Sequence, residues 1–183
     1  MHGGILLNIG MHVAEKYKVR RKVWALEEKY MDFTLKRMFI FNELVKRYME
    51  QCLFYGVFPS FFSQNAATDV YWANPKLYNR DRELFKKYIP LVKTVAEAGW
   101  QPVTHATADN ASVWLERFGD ADAVYLTLRN AADTPQKARV ALAPDLRANS
   151  QAQELLSNAP LRVNNGMFEI ELLPEQTAVV RVR

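Results

Sequence analysis

The first part of the chain carries the repeat of apolar positions that is typical of a helix. Neither proline nor glycine occurs between residues 11 and 55, and the apolar residues recur there mostly at steps of three and four positions, on one broad face. Charged residues, among them Glu43 and Glu50, are expected on the solvated side. The pattern predicts one long helix, or two helices with a break near residues 32–34. The apolar face comprises Val23, Trp24, Leu26, Tyr30, Met31, Phe33, Met38, Phe41, Leu44, Val45, Tyr48, Met49 and Cys52.

A short apolar run and an aromatic loop follow this segment. The run at residues 52–55 is closed by Gly56 and fits either a buried strand or the end of the helix, because periodicity alone does not separate the two. Between residues 59 and 75, turn-forming Pro, Ser and Asn residues are set among aromatic residues. That composition indicates a loop.

A second helix is predicted after the loop. Asn79 or Asp81 is a candidate cap at its start, and Gly99 is placed as a C-terminal glycine should be. Pro90 lies well inside the segment, so a kink or a break is expected there. The apolar positions of this helix are Leu84, Phe85, Tyr88, Ile89, Leu91, Val92, Val95 and Ala96.

The pattern changes to period two after Trp100, which is typical of half-buried strands. Turn-forming residues separate the strands at 119–120, 130–135 and 164–166. The sequence therefore predicts an α+β fold, in which a helical region at residues 1–100 packs on an antiparallel β-sandwich domain at residues 101–183. The predicted strands are 113–118, 123–129, 138–143, 153–156, 167–172 and 177–182.

Composition bears on the classes of binding partner and on the cellular compartment that we expect for this protein. The formal charge of the 183 residues is +4, and the basic cluster at residues 16–22 is short, so no nucleic-acid partner is expected. The single cysteine, Cys52, excludes an internal disulfide and is expected to be an inert buried thiol. No signal peptide and no span of apolar residues long enough for a bilayer is found, so we expect no membrane partner and a cytoplasmic location.

Metal, cofactor and serine-nucleophile chemistry lack their usual motifs. His2, His12 and His105 have no Cys, Asp or Glu at the spacing of metal ligands. A Gly-x-Ser-x-Gly turn, which would hold a nucleophilic serine, is not present in the sequence. The sequence therefore predicts neither a metal site nor a cofactor.

Several segments resemble the end of large bacterial glycoside hydrolases that have a (β/α)8 barrel. The resemblance covers roughly residues 39–183 and implies the last barrel strand, its loop and its helix, followed by a small C-terminal β-sandwich. Since a complete barrel takes about 250 residues, the part of this chain before residue 100 is expected to be a barrel remnant. The matching segments are CLFYGVFPSFFS at 52–63, YWANP at 71–75, YNRDR at 78–82, LFKKYIPL at 84–91, AEAGWQPVT at 96–104, WLERFG at 114–119, NGMFEIELLP at 165–174 and TAVVRV at 177–182.

The resemblance implies hydrolysis of a β-linked plant-type polysaccharide or oligosaccharide by paired carboxylates, which lie ~5 Å or ~6.5–9.5 Å apart in glycosidases. Asp69 and Asp81 flank the aromatic loop and are the first catalytic candidates, with Glu43 as the third. Each of the three residues also has a non-catalytic interpretation. Asp81 can be a helix cap or an arginine partner, Asp69 can be a solvated loop residue, and Glu43 can be a surface charge. The alternative function is a non-catalytic carbohydrate-binding or structural module.

The aromatic loop also supplies candidates for binding a sugar, because the C–H faces of pyranose rings pack on flat aromatic rings. Tyr71, Trp72 and Tyr55 are the aromatic candidates, and Arg80 is the polar one, with core packing as the competing role of the aromatic residues. Carbohydrate is therefore the expected partner. The helix at residues 23–52 carries more apolar side chains than a small sandwich covers, so we also expect a homodimer through the N-terminal helices.

Overall fold

A computed structural model describes residues 34–60, 75–120, 123–146 and 151–182. Two helices and nine strands lie in the described part, and every strand pair in it is antiparallel. The predicted α+β class, with a sheet-rich C-terminal part, is therefore confirmed.

The first described helix, α1, covers Thr34–Tyr55. It includes the apolar run at residues 52–55, which is thus the end of the helix and not a strand. Gly56 follows with φ +60°, its N–H donates to the Leu53 carbonyl at 3.3 Å, and the N–H of Val57 donates to the Cys52 carbonyl at 2.9 Å. This pair of bonds is a Schellman motif, which satisfies the last carbonyls of the helix and needs a left-handed residue where Gly56 lies.

The second described helix, α2, covers Pro75–Ala98. It begins earlier than the predicted caps Asn79 and Asp81, because Pro75 suits the first turn of a helix, where its missing N–H is not needed. The helix is continuous through Pro90, so the predicted break does not occur; the hydroxyl of Thr94 donates to the Pro90 carbonyl at 3.0 Å. Gly99 follows the helix with φ +83°, as its sequence position predicts.

Nine strands in the described residues form two antiparallel sheets. The larger sheet has the order β1-β3-β4-β9-β6-β7, and the smaller has the order β2-β5-β8. A short 3₁₀ helix, Pro144–Leu146, follows β5. The strands are β1 Trp100–Gln101, β2 Ala106–Ala108, β3 Val113–Phe118, β4 Val124–Asn130, β5 Gln136–Leu142, β6 Gln151–Glu154, β7 Ala159–Arg162, β8 Met167–Leu172 and β9 Thr177–Val182.

The two sheets face each other across one hydrophobic core, so the sheet-rich part is a β-sandwich. Alternate residues of β4 and β9 supply the core from the larger sheet, and alternate residues of β5 and β8 supply it from the smaller one. Each fully buried aliphatic or aromatic side chain contributes roughly 1.5–3 kcal/mol to folding. Members of this core include Leu126, Leu128, Val180, Val140, Leu142, Phe168, Ile170 and Leu172.

The larger sheet is also covered on its outer face. Thr127, Val179 and Phe118, which point away from the sandwich core, are buried, and the Thr127 hydroxyl donates to the Phe54 carbonyl at the end of α1 at 2.8 Å. A Cβ atom on Gly56 would lie 2.6 Å from the Phe118 ring. The end of α1 therefore packs directly on this sheet, which explains why β9 is a nearly continuous apolar run.

The chain divides into two compact units. One unit comprises Met1–Tyr48 and Ser60–Asp81, and the other comprises Met49–Pro59 and Arg82–Arg183. The sandwich, the end of α1 and most of α2 all belong to the second unit. The predicted domain boundary near residue 100 stays a prediction, although the first strand does begin at Trp100.

Candidate functional site

The carboxylate of Glu50 is the centre of a buried polar cluster in the second unit. Glu50 is only 4% exposed, and the hydroxyl of Tyr88 on α2 donates to its Oε1 at 2.5 Å. The backbone N–H of Thr177, the first residue of β9, donates to Oε2 at 2.6 Å. In return, the Thr177 hydroxyl donates to the backbone carbonyl of Glu50 at 2.7 Å. One side chain thus joins both helices to the larger sheet.

The electrostatic setting of Glu50 combines burial with nearby positive charge. Burial raises the pKa of Glu50 above its ordinary value of 4.5, while hydrogen bonds from Tyr88 and Thr177 and the charges of Arg129 and Lys87 oppose that rise. Arg129 is itself buried and donates to the Thr177 hydroxyl at 3.3 Å. Lys87 lies above the Tyr88 ring, 5.2 Å from its centre.

The prediction that Glu50 is a solvated surface charge is wrong. Met49, Cys52 and Leu53 surround it in sequence and are all buried, so the last turns of α1 are covered on more than one side. That local density of apolar residues is the only signal in the sequence for its burial. Its partners Tyr88 and Thr177 lie 38 and 127 positions away, where helical periodicity carries no information about them.

This cluster has the chemistry of a structural connection. Glu50 is only 4% exposed, so its carboxylate is withdrawn from the solvent from which a substrate would approach. Both of its carboxylate oxygens already accept a hydrogen bond from buried donors. A buried carboxylate satisfied in this way stabilises one arrangement of the helices on the sheet.

Asp81, a predicted catalytic residue, is completely buried in the first unit. The guanidinium of Arg80 binds both of its oxygens, with Nε 2.7 Å from Oδ1 and Nη2 2.5 Å from Oδ2. The side-chain amide of Asn42 donates to Oδ1 as well, at 3.2 Å. Asp81 therefore has the arginine partner that competed with its catalytic role, and its catalytic role stays a prediction.

Arg80, the predicted polar contact to substrate, is occupied by the same interaction. Its side chain is 10% exposed, and a bidentate pair with a carboxylate fixes the plane of the guanidinium. Arg80 and Asp81 are the two predicted site residues that the described structure brings into contact. Binding of substrate by Arg80 stays a prediction.

The other predicted site residues are either exposed or lie outside the described residues. Glu43 has a half-exposed side chain, 3.9 Å from the ammonium of Lys46. Tyr55 is 45% exposed and meets the Phe54 ring edge to face, with ring centres 4.8 Å apart. Asp69, Tyr71 and Trp72 lie outside the described residues, so their roles stay predictions.

The remaining reactive side chains of the described part have ordinary roles. Cys52 is a buried free thiol, as its position in an apolar run predicts. His105 contacts the Asp145 carboxylate at the surface, and this hydrogen bond lowers the pKa of Asp145. Within the described ranges, no three His, Cys, Asp or Glu residues lie close enough together to hold a metal ion. Neither described helix is long and apolar enough to cross a membrane.

Comparison with known proteins identifies similar folds rather than close relatives. No protein-family model matches the sequence, and no curated protein matches it significantly. Among solved structures, AmyP in complex with maltose matches 76% of this chain with a TM-score of 0.52 and 14% identity. AmyP in complex with maltotriose matches 78% with a TM-score of 0.50 and 16% identity. An α-amylase from Geobacillus thermoleovorans matches 78% at 12% identity and a TM-score of 0.49.

This chain is much shorter than the proteins it resembles. It spans 34% of the AmyP chain solved with maltose and 35% of the one solved with maltotriose. At these identities the likeness concerns the fold alone. The structure therefore shares a fold with part of each AmyP chain, and the resemblance to glycoside hydrolases stays a prediction of the sequence beyond that fold.

Proposed function

We propose that this chain is the carbohydrate-binding C-terminal part of a glycoside hydrolase, and that its described residues support and bind a glycan without supplying the catalytic acid and base. The helices and the sandwich then act as a scaffold that holds a glycan-binding surface. This is the non-catalytic alternative that the sequence leaves open, placed in a glycosidase-like fold.

The proposal rests on one observation: the buried carboxylates bind residues of the protein's own helices and sheet. Among the described carboxylates, Glu50 and Asp81 are the most deeply buried, and each is bound by partners that fix the fold. A general acid or base needs a free position beside the substrate. Neither group offers one, because Glu50 is 4% exposed and Asp81 is completely buried.

The choice of glycan is part of the proposal. AmyP, a structural neighbour with a TM-score of at least 0.5, was solved with maltose and with maltotriose, which supports an α-linked glucan as the first ligand to test. The sequence resemblance implies a β-linked plant-type glycan instead. Because a shared fold does not determine substrate linkage, both classes belong in the same assay.

Hydrolysis by this chain is the second candidate function. It is favoured by the resemblance of residues 52–91 to the end of a catalytic barrel, in which Asp69 and Asp81 flank the predicted aromatic loop. In this version Asp69 and Asp81 are the catalytic pair, with Glu43 as the third candidate. Tyr71, Trp72, Tyr55 and Arg80 then contact the sugar.

One experiment separates the two functions. Purified full-length chain is incubated with amylopectin, mixed-linkage β-glucan, xylan and mannan, and reducing ends are measured beside migration in affinity gels that contain the same polymers. Retardation by amylopectin with no release of reducing ends above the buffer blank is the expected result. Release of reducing ends that is lost in Asp69→Asn would establish hydrolysis instead. Migration unchanged by every polymer would contradict carbohydrate binding altogether.

A further inference from the structure

Two tryptophans in the described part are exposed although they belong to strands of the sandwich. Trp100 in β1 is 58% exposed, and Trp114 in β3 is 50% exposed. Large aromatic side chains bury much area when they find a partner. Exposure of two indoles on neighbouring strands therefore calls for an explanation by binding.

The register of β1 and β3 places both indoles on one face of the larger sheet. Trp100 is directly opposite Phe118, and residues 114, 116 and 118 alternate onto the same side of β3. Trp114 lies four residues before Phe118, which corresponds to roughly 14 Å along the strand. Since β1 is the edge strand of this sheet, the row is accessible from the side.

Glu116 lies in this row between the two indoles. Its Oε2 accepts a hydrogen bond from the Trp100 indole Nε1–H at 2.8 Å, which fixes the orientation of that ring. Among the contacts between described residues, Oε1 of Glu116 accepts no hydrogen bond. The row thus offers a flat ring, a carboxylate oxygen and a second flat ring in sequence. We define Trp100, Glu116 and Trp114 as the tryptophan strip.

We infer that the tryptophan strip binds an oligosaccharide, with sugar rings stacked on the two indoles and a sugar hydroxyl donating to Glu116. The inference rests on the proposed function and adds to it the place where the glycan binds. The length of the strip fits an oligosaccharide rather than a single sugar. The Trp100 indole is already held by Glu116 before a glycan binds, which lowers the entropy lost when a sugar ring stacks on it.

The carboxylate distinguishes a glycan from a protein as the partner. The centres of protein interfaces are depleted of charged residues, because a carboxylate covered by an apolar surface loses its water without compensation. A glycan presents apolar C–H faces to the indoles and hydroxyl donors to the carboxylate. It satisfies the three groups of the strip at once.

The test measures amylopectin affinity from gel retardation for full-length wild type and for Trp100→Ala, Trp114→Ala and Glu116→Gln. We expect each tryptophan variant to weaken binding about tenfold, as the loss of a central aromatic contact does, and Glu116→Gln to weaken it less. Met167→Ala and Leu173→Ala remove exposed apolar side chains elsewhere on the sandwich and should leave affinity unchanged. The urea midpoint of every variant checks that the fold is retained.

The outcomes separate the strip from the proposed function. If wild type is retarded and both tryptophan variants are retarded equally, the chain binds glycan at another place and the strip inference is overturned while the proposed function stands. If no polymer in the panel retards wild type, both are overturned. If the tryptophan variants turn a dimer into a monomer in light scattering and keep full affinity, the strip is a protein interface and the inference fails.

Discussion

Glu50 and Thr177 are joined by two hydrogen bonds in opposite directions, although 127 positions separate them. The strand N–H donates to the Glu50 carboxylate at 2.6 Å, and the Thr177 hydroxyl donates to the Glu50 carbonyl at 2.7 Å. The end of α1 is thereby fixed in register on β9. Since Tyr88 donates to the other carboxylate oxygen, the same residue also fixes α2.

Replacing Glu50 should destabilise the fold more than replacing a glutamate on the helix surface does. Glu50→Ala removes the carboxylate that accepts from the Tyr88 hydroxyl and from the Thr177 N–H, and each buried hydrogen bond lost in this way costs about 1–3 kcal/mol. We expect the free energy of unfolding to fall by about 2–4 kcal/mol in urea denaturation. Glu43→Ala is the control: its half-exposed pair with Lys46 should contribute less than about 1 kcal/mol. Equal effects of the two variants would contradict this account.

The raised pKa of Glu50 predicts a particular pH dependence. Its carboxyl group holds a proton more readily in the folded chain than in the unfolded chain, whose value is about 4.5. Folding is therefore favoured by this group below that value, and the advantage is lost as the pH rises through the higher folded pKa. Measured as a difference from Glu50→Gln, the stability of wild type should fall as pH increases.

The difference from Glu50→Gln is the quantity to measure, because other carboxylates act in the opposite direction. A hydrogen bond from the Arg139 backbone lowers the pKa of Asp109, and one from His105 lowers the pKa of Asp145. Those groups stabilise the fold at higher pH and cancel in the comparison. Urea unfolding at several pH values from about 4 to 8 supplies the curve. If the difference in stability between wild type and Glu50→Gln is the same at every pH in that range, burial does not raise the pKa of Glu50.

The role of Asp81 can be decided by comparing stability with activity. Asp81→Ala removes the carboxylate that binds the largely buried Arg80 guanidinium, and breaking a buried pair of this kind costs about 3–5 kcal/mol. We expect the melting temperature to fall strongly in Asp81→Ala and to recover in part in the double variant with Arg80→Met. Should Asp81→Asn abolish glycan hydrolysis while its melting temperature is unchanged, Asp81 is catalytic and this structural account fails.

Much of the sandwich could be predicted from alternation alone. The predicted strands 113–118, 167–172 and 177–182 match β3, β8 and β9 residue for residue. Strands β1, β2 and β7 fall outside the prediction because two to four residues are too few to show a period of two. The pairing of these strands depends on neighbours that are distant in sequence, so the local hydrophobic pattern does not predict it.

The candidate sites were harder to predict, because their members meet only through tertiary packing. Glu50 has the sequence signature of a helix-surface charge, and burial by Tyr88 and Thr177 overrides it. The tryptophan strip depends on the register between β1 and β3, and β1 has only two residues. The pair of Arg80 and Asp81 is the exception, because the two residues are adjacent and an arginine partner was one of the expected roles.

A homodimer through the N-terminal helices stays a prediction of the sequence. Each large apolar side chain that the predicted helix at residues 23–52 leaves exposed contributes roughly 1.5–3 kcal/mol when it is buried, so a few are enough to hold a symmetric interface. Multi-angle light scattering at micromolar concentration should give twice the chain mass. A monomer mass at every concentration of a tenfold dilution series would contradict this prediction.

Gly56 and Gly99 form a matched pair that separates backbone strain from close packing. Both have a positive φ, +60° and +83°, and both follow the end of a helix. A Cβ atom at Gly56 would lie 2.6 Å from Phe118 Cε1 and 3.2 Å from Val95 Cγ1, whereas a Cβ at Gly99 meets nothing within 4 Å. Gly99→Ala should therefore cost about 1 kcal/mol from φ alone.

Gly56→Ala should carry the same conformational cost and, in addition, about 1–3 kcal/mol for overpacking against the sheet. Urea unfolding of the two variants measures both costs. Phe118→Leu in the Gly56→Ala background removes the nearest ring atoms, so the penalty of the alanine should shrink there relative to its penalty in wild type. Equal losses in Gly56→Ala and Gly99→Ala would mean that α1 ends farther from β3 than the structure places it.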